Sequence, residues 1–131
     1  MRDYTLLIES AKEAQGNSYA PYSNYNVGAA LLCENGKIYK GCNVENASYG
    51  ATICAERVAI ASAISAGERK FVAIAIVGGE HMSSEAPAFP CGICRQALSE
   101  LCDDDFDIVL CSDDKTKIYK LDKLFPNGFK L

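Results

Sequence analysis

The chain has 131 residues, 49% of them hydrophobic and 23% charged, with a formal net charge of -4. That is the make-up of an ordinary globular protein and the length of one domain, expected to span 1–131 and to bury roughly two-thirds of its unfolded surface. The acidic balance argues against a nucleic-acid partner, no apolar run approaches the ~20 residues of a membrane span, and the opening Met-Arg-Asp-Tyr-Thr lacks the layout of a signal peptide, so a cytoplasmic protein is expected.

Residues 3 to 15 set Tyr4, Leu7, Ile8, Ala11 and Ala14 on one helical face, with Gly16-Asn17 as the stop, so the spacing predicts an amphipathic first helix that serves packing. Residues 18 to 24 read as a loop. Tyr25 to Cys33 and Lys37 to Val44 read as two strands joined through an Asn35-Gly36 turn. Thr52 is the expected cap of a second helix that runs to about Ser65, with Gly67 near its end. Phe71 to Val77, β-branched and small, suits a strand buried on both faces, and Gly78-Gly79 is expected to end it. A loop over 80 to 89 leads to a third helix, opened by Pro90 or Cys91 and running to about Cys102, with Ala97, Leu98 and Leu101 toward the core. Asp103-Asp104-Asp105 reads as a solvated turn, Phe106 to Cys111 and Lys117 to Leu121 as the last strands, and Asp122 to Phe125 as a short closing turn. Helix, hairpin, helix, strand, helix, strand, strand is the order of an α/β fold, a mixed sheet with helices on its faces.

Two stretches carry chemistry: Cys54-Ala55-Glu56-Arg57 and Pro90-Cys91-Gly92-Ile93-Cys94-Arg95-Gln96. Three thiolates from Cys54, Cys91 and Cys94 could hold a zinc ion and leave its fourth tetrahedral position open, which is the layout of a catalytic site. Glu56, two positions from Cys54, is placed to handle a proton there. Both stretches open helices, whose free amide groups favour thiolate over thiol. Arg57 lies on the helical face of Cys54 and can donate to ligand sulfurs, offsetting a cluster of formal charge minus one.

Taken alone, the Cys91–Cys94 pair is as consistent with a redox couple or half of a structural zinc knuckle. A structural site would need a fourth ligand, yet the remaining thiols, Cys33, Cys42, Cys102 and Cys111, fall mid-strand or at a helix end, where free cysteine behaves as a small hydrophobe. His81, the only histidine, lies in a polar loop and receives no metal role.

Together the two stretches resemble the zinc-dependent cytidine deaminases, in the variant with three cysteine ligands. The resemblance extends over Ala20-Pro21-Tyr22-Ser23, Val27-Gly28-Ala29-Ala30, residues 41 to 49, Leu124-Phe125-Pro126 and Phe129, and is closest to the small homotetrameric branch. It implies a three-layer α/β/α sandwich around a mixed five-stranded sheet. It also implies one zinc per subunit on Cys54, Cys91 and Cys94, with Glu56 as proton shuttle in hydrolysis of cytidine and 2'-deoxycytidine to the uridines and ammonia, a step of pyrimidine salvage. By the same likeness, Asn43 and Glu45 hold the sugar 3'-hydroxyl, the Ala55 backbone meets the base, Tyr25 stacks on it, and Phe129 reaches a neighbouring subunit's site in a homotetramer with shared active sites. Two positions depart from the pattern: Tyr25 stands where Phe is usual, and Phe89 where Ser or Thr is common. The zinc stretches leave open a deaminase for another aminopyrimidine nucleoside, of the blasticidin type, and a non-catalytic zinc-stabilised binding module.

Overall fold

The computed structural model describes residues 3–131. Helix α1 (Thr5–Gln15) is followed by strands β1 (Tyr25–Cys33) and β2 (Ile38–Cys42), helix α2 (Ala55–Ser65), strand β3 (Phe71–Glu80), helix α3 (Gly92–Leu101), strands β4 (Asp107–Ser112) and β5 (Lys115–Lys120), and a final turn of helix, α4 (Leu121–Leu124). The five strands form one sheet in the order β2-β1-β3-β4-β5. β1 pairs antiparallel with β2 and β3, β3 pairs parallel with β4, and β5 returns antiparallel. The sheet is therefore mixed, as the element order predicts.

This order dictates where the helices lie. β2, β3 and β4 share one direction, and the chain crosses from β2 to β3 and from β3 to β4 the same way along the sheet. Parallel crossovers keep one hand, so two that travel the same way fall on the same face. Accordingly Ala55, Ala59, Ala63 and Leu98 pack with Ala29, Leu31, Ile74, Ile76, Ile108 and Leu110 in one core. On the other face, Tyr4, Leu7 and Ala11 of α1 pack with Ala30, Ala73, Ala75, Val77 and Val109. Residues alternate between the two cores along each strand, as the pleat requires. Three layers result.

The helices approach the sheet unusually closely. The face of α2 is a stripe of alanines, and a Cβ at Gly41 would stand 2.4 Å from the Ala59 nitrogen and 2.5 Å from the Ala55 carbonyl oxygen. Gly28 serves α1 in the same way on the opposite face. Gly41 thus sets the height of the helix whose first turn carries Ala55 and Glu56.

Several boundaries differ from the sequence reading, each for a tertiary reason. Thr52 does not cap α2; its hydroxyl accepts from the Asn46 N–H, residue 53 pairs with Val44 as extended chain, and Cys54 takes the N-cap position. β2 stops at Cys42, and Val44 bridges to Tyr19 and Ile53 instead. Gly78 and Gly79 do not end β3 but continue it to Glu80, paired with Val27 and Asn26 of β1. Glycine is needed there because the Ala88 methyl and the Ser83 carbonyl press on the strand, 2.9 Å and 2.4 Å from where Cβ atoms would be. The last strand begins at Lys115, because Asp113 and Asp114 both adopt positive φ and make the two-residue turn that a tight hairpin requires.

Gly41→Ala drives a methyl into the α2 backbone, and an overpacking cost of about 1–3 kcal/mol is expected. Urea unfolding of the variant against the parent measures it; an unchanged midpoint would mean that α2 is not held down at this point.

Candidate functional site

Cys54 is the N-cap of α2 and Cys91 the N-cap of α3, with Cys94 in the first turn of α3. Both helices begin beyond the carboxyl ends of strands of like direction and on the same face, so their N-termini meet. The three sulfurs lie within 4.8 Å of one another, and the Cys54 and Cys91 Sγ atoms are 3.8 Å apart. Zinc–sulfur bonds of about 2.3 Å at tetrahedral angles set sulfurs about 3.8 Å apart, so the trio fits zinc without rearrangement of that pair. Cys33, Cys102 and Cys111 are buried and Cys42 half-buried, all of them free thiols outside this cluster.

The electrostatics follow from crowding sulfur and carboxylate at one point. Hydrogen bonding from Cys94, with the Arg57 guanidinium and Cys91 adding to it, holds the Cys54 thiol down to about 5 against the cost of burial. Cys94 moves the opposite way, raised by its bond to Cys54 and by burial. The two thiols thus shift in opposite directions. Arg57 Nη2 lies 3.8 Å from Cys54 Sγ, as its spacing predicts. Glu56, only 4% exposed, is pushed up to about 7, chiefly by burial and further by the Cys54 charge.

Cys54, Cys91, Ala55 and Glu56 line a cavity of about 230 Å³ together with Tyr25, Asn43, Glu45 and Phe89. Its polar side is held by the chain itself. Asn43 Oδ1 accepts from the Val27 N–H at 2.9 Å while its Nδ2 donates to the Tyr25 carbonyl at 2.8 Å. The Glu45 carboxylate accepts from the backbone N–H groups of Tyr22 and Ser23, at 3.0 and 3.2 Å, and from the Ser23 hydroxyl at 2.5 Å. These bonds keep Glu45 ionised below the usual carboxylate range, the Ser23 hydroxyl contributing most. Phe89 lines the cavity and packs against Tyr119 with ring centroids 5.5 Å apart. Phe129 lies outside this cavity, 64% exposed, its carbonyl accepting from Gln96 Nε2 at 3.1 Å.

A family model described as "Cytidine and deoxycytidylate deaminase zinc-binding region" matches residues 1–110. The chain belongs to that deaminase family. A cytidine deaminase of Sporosarcina psychrophila is 46% identical over 108 residues, covering 82% of this chain and 76% of that protein. Among solved structures, cytidine deaminase from Burkholderia pseudomallei superposes with a TM-score of 0.90 at 45% identity, covering 98% of this chain and 100% of the other. The Mycobacterium tuberculosis enzyme gives 0.83 at 37% identity over 100% of both chains. The three-layer α/β fold read from the sequence is the deaminase fold, and zinc is the family's metal.

Some residues escaped the sequence reading. Val27, Thr52, Ile53, Ile76 and Ala88 also line the cavity, and no local pattern marks them, because they converge from four separate segments. Arg95 donates from Nε to the Pro90 carbonyl and from Nη1 to that of Leu124, both at 2.7 Å, and so pins the start of α3 to α4. Its place in the second cysteine stretch was visible, but its partners were not.

Replacing Cys94 by Ser removes the donor at the buried side of the trio. Bound zinc, measured by atomic emission on dialysed protein, is expected to fall from about one per chain to well below half, as it does on chelation of the parent.

Proposed function

We propose that the protein is a zinc-dependent hydrolase that converts cytidine and 2'-deoxycytidine to uridine and 2'-deoxyuridine with release of ammonia. The observation that carries this reading is the composition of the cavity: Cys54 and Cys91 of the three-thiol cluster and the buried Glu56 line it together with Asn43 and Glu45. The family description spans nucleoside and nucleotide substrates, and charge favours the nucleoside. No Lys, Arg or His is among the described residues lining the cavity, while Glu45 and Glu56 are. A 5'-phosphate would meet carboxylates with no cation to offset them.

Cys54, Cys91 and Cys94 would hold zinc, which supplies the Lewis acidity that brings ionisation of water into the neutral range. Glu56 accepts a proton from the attacking water and delivers it to N3 of the pyrimidine; it then takes the remaining proton of the hydroxyl added at C4, as the carbonyl forms and the C–N bond breaks, and passes it to the departing amino group, which leaves as ammonia. A carboxyl raised by burial suits both halves of that task, since desolvation makes it a better base for the water's proton while it can still return one. Arg57 steadies the Cys54 sulfur. The Tyr25 ring stacks on the base and the backbone of Ala55 meets its edge, while Asn43 and Glu45 hold the sugar hydroxyl as donor and acceptor. Loss of such a pairing leaves buried polar groups unmet, which is why the site would reject sugars without it.

The unit of function is one domain over 1–131 in a homotetramer, with the exposed Phe129 of one subunit completing a neighbour's site. No helix among the described residues is long and apolar enough to cross a membrane, and pyrimidine salvage in the cytoplasm is the setting that fits.

Glu56→Gln should retain zinc and lose at least about 100-fold in kcat for ammonia release from cytidine. Full turnover by that variant would remove Glu56 from the mechanism, and turnover of cytidine 5'-monophosphate at a comparable rate would overturn the nucleoside assignment. Sedimentation velocity should show a tetramer, and Phe129→Ala should lower kcat/KM; a stable, fully active monomer would contradict the shared site.

A further inference from the structure

Three of the four buried polar side chains among the described residues, Gln15, Asn26 and Asn43, belong to one hydrogen-bonded array behind the cavity, with Ser18 between the last two. Every bond in it has a direction set by a backbone group. The Met82 N–H can only donate, and it meets Asn26 Oδ1 at 3.1 Å, so Asn26 must turn its amide nitrogen the other way. That nitrogen donates to Ser18 Oγ at 3.2 Å. The Ser18 hydroxyl is thereby left to give its own hydrogen to Asn43 Oδ1, which also accepts from the Val27 N–H. Both lone pairs of the Asn43 oxygen are then occupied. Its nitrogen spends one hydrogen on the Tyr25 carbonyl, and the other remains for the cavity that Asn43 lines.

The origin of the array is itself constrained. His81 and Met82 both have positive φ, 53° and 66°, an uncommon backbone for residues with side chains. Gln15 Nε2 donates to the Asn26 carbonyl at 3.1 Å and to the Ser83 carbonyl at 2.9 Å, tying this turn to β1 and to the end of α1. The turn is thus held where the Met82 N–H faces Asn26.

We infer that Ser18 and Asn26 are positioning residues: the Val27 N–H and the Tyr25 carbonyl set which way the Asn43 amide faces, and the Asn26–Ser18 chain adds the second bond to its oxygen that steadies and polarises it as a hydrogen-bond donor toward the substrate's sugar hydroxyl. Such a chain polarises each member toward the next and strengthens the terminal donor. The inference rests on the reading above that Asn43 contacts that hydroxyl, and it adds a specificity device remote from the reacting atoms.

The test compares cytidine with 3'-deoxycytidine on zinc-loaded protein. Ser18→Ala should lower kcat/KM for cytidine about fivefold, the worth of one hydrogen bond, while leaving 3'-deoxycytidine nearly unaffected; Ser18→Thr, which keeps the hydroxyl, should restore the parent ratio. Asn26→Asp reaches the same array without touching Ser18. Its carboxylate would accept the Ser18 hydrogen and withdraw it from Asn43 Oδ1, leaving only the Val27 N–H on that oxygen, so the same selective loss is expected. Equal losses on both nucleosides, or no loss on cytidine, would overturn the inference. Asn43→Ala separates the two levels: if it abolishes the preference for the 3'-hydroxyl and the Ser18 and Asn26 variants do not, only the positioning role fails. If it leaves the preference intact, the sugar reading fails and the inference with it.

Discussion

Crowding negative charge at one point is the constraint on which the site depends. Three sulfurs within 4.8 Å of one another and a carboxyl that is 4% exposed cannot all ionise unless positive charge is supplied. The protein offers the ends of two helices, through Cys54 at the start of α2 and Cys91 at the start of α3, and a guanidinium from Arg57 against the Cys54 sulfur. A dication is the remaining partner, and it is what the family binds. Within the cluster the shifts diverge: hydrogen bonding from Cys94 draws Cys54 down, while its bond to Cys54 pushes Cys94 up and burial pushes Glu56 up.

The fold brings those helix ends together by handedness and by the absence of side chains. Two crossovers that travel the same way along the sheet place α2 and α3 on one face, and α1 covers the other. Distance is then set by the alanine stripe of α2 against Gly41, where backbone nearly touches backbone. A helix seated this deeply is rigid, which suits a metal site better than a loop would. The side of the cavity that carries Asn43 and Glu45 is built differently, from irregular chain. It gains rigidity from hydrogen bonds that run back into the body of the protein.

The proposed roles divide along that line. Reactive groups sit at the starts of helices whose positions the sheet dictates, and the sugar-binding pair, Asn43 and Glu45, sits on irregular chain tied back by hydrogen bonds. In Asn43 and Glu45 the proposed recognition role does not compete with a structural one. Both hold local chain segments together, and both present what capacity is left to the cavity.

How much could be read without the structure depended on whether the cause lay near in sequence. The helices at 5–15, 55–65 and 92–101 and the mixed sheet were legible because burial imprints a period on the chain, and the cysteine spacing announced a metal because coordination chemistry admits few donor sets. The end of β3, the cap of α2 and the bonding of Thr52 were misread, since each is decided by a neighbour distant in sequence: Ser83 and Ala88 against the glycines, Asn46 at the Thr52 hydroxyl. The array of Gln15, Ser18, Asn26 and Asn43 left no pattern at all in the chain. By itself the sequence determined the residue types, the periodicities and hence the reaction class, all of which are local chemistry. Only the tertiary structure decided which of those residues meet and which way each hydrogen bond points, because a donor acquires a direction only when a fixed partner stands opposite it.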